Sequence, residues 1–90
     1  MQVNHVFYKA YLINVLHRHI QQARQQLLSE LTAAGTDSVV FMRRFRMLGQ
    51  LADWESQVTK KIYSFETDSA DDYLIEPFVS ELHMITSRDG

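Results

Sequence analysis

The chain has no cysteine, one proline and three glycines. Without cysteine there is no disulfide and no thiolate metal site, so the usual reinforcements of a small domain are missing. No run of about twenty apolar residues occurs, which excludes a membrane-spanning helix. The opening Met-Gln-Val-Asn-His-Val-Phe-Tyr-Lys lacks the basic start and unbroken apolar core of a signal peptide. A cytoplasmic protein with no membrane partner is therefore expected. Ninety residues make one domain. A chain this short buries only about 60% of its unfolded surface. Self-association is the remaining way to gain stability.

Acidic residues are scarce in the first two thirds, and basic ones are scarce beyond. Through Tyr63 there are eight Lys and Arg against four Asp and Glu, and from Ser64 onward one against seven. A basic body with an acidic tail suggests an interaction tail or an electrostatic self-contact.

With so few helix breakers, the apolar pattern is helical. From about Asn4 to Ala34, Val6, Ile13, Ile20, Leu27 and Ala34 recur every seven residues, with Ala10, Leu16, Ala23 and Leu31 between them. Val3 to Leu16 adds Phe7, Tyr8, Tyr11, Leu12 and Val15 around the axis, more apolar surface than one hairpin partner covers. Gly35 reads as the C-terminal stop, and Thr36, Asp37 or Ser38 as the N-cap of a second helix over about 38–65. That helix carries two stripes. One holds Phe41, Phe45, Leu48 and Ala52, continued by Val58, Ile62 and Phe65; the other holds Val40, Met47, Leu51 and Trp54. Gly49 could mark a close helix crossing. A connection this short makes the two helices antiparallel neighbours. Residues 67–72 read as an acidic linker, and Tyr73–Pro77 as extended or turn-like. A short helix from Pro77 then aligns Phe78, Leu82 and Ile85, with Thr86–Gly90 frayed.

The patterns that carry chemistry are thin. His17 and His19, two apart, point about 200° apart on a helix and cannot share a metal ion. His5 and His83 are isolated, and surface or interface histidines are the simpler reading. The carboxylates Glu66, Asp68, Asp71, Asp72 and Glu76 lack the glycine and spacing of a calcium loop and read as a solvated linker. Neither a nucleophile elbow nor a phosphate loop nor a dinucleotide fingerprint is present. No catalytic residue, metal or cofactor is expected, and the protein is expected not to be an enzyme.

The run Arg43-Arg44-x-Arg46 is the most suggestive. Arg43 and Arg46 share a helix face with Gln50, Asp53, Gln57 and Lys60. A cationic stripe could hold a nucleic-acid backbone, but Asp53 interrupts it. A solvated face, or a dock for the acidic tail that also uses Lys60 and Lys61, is the favoured reading, and nucleic-acid binding is the alternative. Trp54 and the other aromatics suit a core or a protein contact.

The stretches FYKAYLINVLHRHIQQARQQLL and FMRRFRMLGQLADWESQV, over about Phe7–Val58, resemble small helical-hairpin proteins encoded by tailed phages. That resemblance implies a structural or host-interaction role, no catalytic residues, and a place in the virion as an alternative to the cytoplasm.

The expected fold is all-α: a long antiparallel hairpin over 1–66, then over 67–90 an acidic linker and a short C-terminal helix packing on it, in one domain. The expected assembly is a homo-oligomeric bundle, most simply a dimer, with coiled-coil-like packing. Its oligomer or partner interface is expected at Phe7, Tyr11, Ile13, Leu16, Met47, Leu51 and Trp54, and tail docking at Phe78 and Leu82. The expected function is a non-catalytic protein–protein interaction or assembly component. The alternative is a nucleic-acid-associated regulator using Arg43, Arg44 and Arg46.

Overall fold

A computed structural model describes residues 4–87. With no glycine or proline to interrupt it, Asn4–Ala34 forms one helix, α1, of 31 residues, about 46 Å long. Gly35 ends it at φ +60°, where any side chain would cost roughly 1–2 kcal/mol. Asp37 starts α2, Ser38–Tyr63, by accepting from the Val40 amide at 3.2 Å. The two helices run antiparallel: Glu30 meets Arg44 at the closed end, and Lys9 Nζ donates to the Tyr63 carbonyl at 2.7 Å at the open end. The second contact places a cation on the negative C-terminus of α2. Ser64 adds its hydroxyl to the Lys61 carbonyl, so α2 stops at Tyr63 and Phe65 belongs to the connection.

The core between the arms consists of Leu12, Leu16, Ile20 and Leu27 from α1 and Met47, Leu51, Val58 and Ile62 from α2. This corrects the seven-residue line drawn from the sequence. Val6 is 58% exposed and Ala10 is also exposed. A straight helix of 3.6 residues per turn drifts about 20° per heptad. The buried line therefore follows Leu12, Leu16 and Ile20 at four-residue steps and leaves Val6 behind.

The third layer is short. Ala70–Tyr73 makes a single 3-10 turn, Leu74 is extended, and α3 covers Glu76–Thr86 with Pro77 in its first turn. The extended stretch thus begins at Leu74 and not at Tyr73. Phe78 and Leu82, four apart, are both buried, and α3 lies against α1 and α2 together. Tyr73 is buried among aromatic rings, 5.2 Å from Tyr8 and 5.6 Å from Phe65, with its hydroxyl donating to the Thr67 carbonyl at 2.7 Å. Burial pushes its phenol above the ordinary value of 10.0, and Asp68 and Asp72 add to the rise. The fraying expected over Thr86–Gly90 falls partly on 88–90, outside the described residues; Thr86 is the last helical residue. No helix among the described residues is long and apolar enough to cross a membrane.

Gly49 marks no helix crossing, because a Cβ built there meets nothing within 4 Å. It is an exposed glycine in mid-helix. Gly49→Ala is therefore expected to stabilise the protein by about 0.5–1 kcal/mol, seen as a higher urea midpoint with an unchanged slope.

Candidate interaction surfaces

The residues expected at an oligomer interface divide three ways. Leu16, Met47 and Leu51 are at most 3% exposed inside one chain, so they have no surface left to offer. They are core, a correction that follows from which part of α2 meets α1: Met47 and Leu51 of one stripe turn inward with Val58 and Ile62 from the continuation of the other, while Phe41 and Phe45 stay outside. Ile13 and Trp54 are half-buried against that core, and the Trp54 indole donates to Glu81 of α3 at 2.9 Å. Phe7 and Tyr11 are 65% and 62% exposed, stacked with centroids 6.5 Å apart. α3 and Tyr73 cover the Tyr8 side of α1, and this pair lies on the uncovered side.

Helical phase sorts the remaining surface into two flanks of the hairpin. α3 occupies the one formed by Tyr8 and Leu12 on α1 and by Trp54 and Lys61 on α2, where Lys61 Nζ stands 6.0 Å from the Phe78 ring. The opposite flank is bare. Near the closed end it presents Leu28, 48% exposed, with Phe41 and Phe45, which stack at 6.3 Å. Toward its middle a shallow cleft is lined by Ile13, Leu16, His17, Ile20, Glu55 and Thr59. There Arg24 donates to Glu55 at 2.7 Å, and His17 Nδ1 stands 3.6 Å from the same carboxylate. His17 also meets Gln21 at 3.1 Å. The charges of this flank are thus paired within the chain. The sequence reading missed this network because its partners sit 31 and 38 residues apart.

The three arginines separate. Arg44 turns inward, 3.6 Å from Glu30 and in contact with the Met47 sulfur at 3.5 Å; its Nε is buried with no hydrogen-bond partner. Arg43 and Arg46 are exposed and line a groove with Ser38, Val39, Met42, Met47 and Gln50. Neither takes part in the ion pairs of the described residues, and nor do Lys60 and Lys61. The expected docking of the linker carboxylates on this cationic set is therefore not made among the described residues. Asp68 stands 3.6 Å from His5, and Asp72 accepts from Thr67 at 2.7 Å. Distance explains the difference for the arginines: from Arg43 to the end of α2 the helix rises about 30 Å. Lys60 and Lys61 are near the linker but exposed, where an ion pair gains little. His17 and His19 do diverge, one on the Glu55 flank and one away from it. Among the described residues no three His, Cys, Asp or Glu side chains gather as a metal site.

No family model, no curated protein and no solved structure matches the chain.

Proposed function

We propose that this protein acts by contact and without catalysis, as an assembly or interaction component whose working form is a homodimer closed through the bare flank of the hairpin. The observation that carries this reading is the exposed apolar set Leu28, Phe41 and Phe45 beside an internally neutralised Arg24–Glu55–His17 network. Exposed phenylalanine pairs are costly in water, and phenylalanine is among the residue types enriched at protein contacts. A face with no uncompensated charge suits a second copy of itself, because a two-fold axis sets each patch against its own image. The likeness of Phe7–Val58 to small phage-encoded helical hairpins supports a structural or host-interaction role of this kind.

Sedimentation equilibrium tests the reading. The wild type is expected at twice 10.5 kDa, and Phe41→Glu with Phe45→Glu is expected to sediment as a monomer while keeping its helical circular dichroism. Both rings are exposed within one chain, so the double variant has no fold to lose by itself. A folded wild-type monomer at micromolar concentration would sink the proposal.

A further inference from the structure

The flank of α2 that holds α3 does not end where α3 ends. Gln57, Trp54 and Gln50 meet Glu81, Met84 and Ile85 in a cleft at the α3 C-terminal half. Gln50 then opens a second groove of about 580 Å³, which continues through Met47, Arg46, Arg43 and Met42 to Val39 and Ser38. From Gln50 to Val39 the helix rises about 16 Å, the length of three helical turns. The floor is apolar: Met47 is buried, while Met42 and Val39 are 53% and 64% exposed. Methionine is the side chain that most readily refits to a new neighbour. The rim is cationic, since Arg43 and Arg46 stand outside every ion pair of the described residues.

The α3 helix shows what this flank accepts. Two apolar residues four apart, Phe78 and Leu82, face inward, and the carboxylate of Glu81 anchors on the Trp54 indole. We infer that the groove from Val39 to Gln50 binds an acidic amphipathic helix of another protein, laid end to end with α3. Its apolar residues, four apart, rest on the exposed Val39 and Met42 above the buried Met47, and its carboxylates meet Arg43 and Arg46. Two points favour this occupant: the charge left uncompensated on the rim, and the continuity of the groove with the α3 seat. The chain's own linker acids belong to the far end of the hairpin and cannot fill it. A nucleic acid would gain little from two cations over an apolar floor, because each phosphate neutralised contributes separately to affinity. The inference stands apart from dimerisation, which uses the other flank of α2.

Fluorescence anisotropy with three probes decides it. The first is a labelled peptide of about four helical turns with leucine at i, i+4 and i+7 and glutamate on the other face. The second replaces every glutamate by lysine, and the third is a single-stranded oligonucleotide. At physiological ionic strength the acidic peptide is expected to bind and the lysine peptide to fail. Arg43→Glu with Arg46→Glu is expected to weaken the acidic peptide by at least roughly tenfold, since it turns two charge-assisted contacts into repulsions. Met42→Asp, at an exposed position, should weaken it comparably. Phe41→Glu with Phe45→Glu should bind like the wild type, so failure of the dimer and failure of the groove are read separately. Equal binding of both peptides, or indifference to the arginine and Met42 changes, would overturn the inference. So would tighter binding of the oligonucleotide, which would make the groove a nucleic-acid site.

Discussion

Leu51→Ala is expected to lower the stability of the protein by about 2–5 kcal/mol. Leu51 is 0% exposed and sits at the centre of the α1–α2 seam. Antiparallel rods have no loop or sheet that could collapse into the vacated space. A domain of this length holds roughly 5–13 kcal/mol in all, so one truncation removes a large share. The melting temperature should fall on the order of 10–30 °C. Thermal unfolding followed by circular dichroism checks it, and a fall of only a few degrees would mean that the seam is not the main store of stability. The same geometry changes how a charge substitution at Leu16 reads. Leu16 is core, so Leu16→Asp would unfold the hairpin and say nothing about dimerisation, whereas the Phe41 and Phe45 changes address the outer surface alone.

Phe78→Ala should cost about 3 kcal/mol, the lower end of the range for a buried phenylalanine. The ring is 7% exposed and lies with Leu82 and Tyr73 in the seat of α3. The loss is capped because α3 is only 11 residues long and can release without the hairpin opening. Helices this short are marginal in water when undocked. Hydrogen exchange separates the two events: amides of Leu82 to Ile85 should lose most of their protection, while those of α1 around Ile20 keep theirs. Uniform loss across all three helices would show that α3 and the hairpin form one cooperative unit. Substitutions in the acidic linker should have far smaller effects, because the His5–Asp68 contact is 3.6 Å long and partly exposed and such pairs contribute about 0–1 kcal/mol.

The helices themselves were legible from local chemistry. The absence of breakers from Asn4 to Ala34, the stop at Gly35, the cap at Asp37 and Pro77 in the first turn of α3 each act within a few residues. The short connection then imposes an antiparallel hairpin, and the four-residue spacing of Phe78 and Leu82 indicated the side of α3 that turns inward. Propensity, capping and loop length therefore determined the all-α fold without reference to distant contacts.

The faces were decided only in three dimensions. α2 carries two apolar stripes of similar composition, and nothing local says whether Met47 and Leu51 or Phe41 and Phe45 meet α1. The choice is made by the packing of both helices at once, and it turned residues read as interface into core while leaving an aromatic pair outside. Electrostatics followed the same rule. Coulomb interactions depend on separation in space, so Arg43 and Arg46 and the acidic linker stay apart, with about 30 Å of α2 between them. Solvent and salt screen them over about 8 Å. Arg24, Glu55 and His17 met because the hairpin brings them to one flank, whereas Arg43 and Arg46 form no ion pair among the described residues.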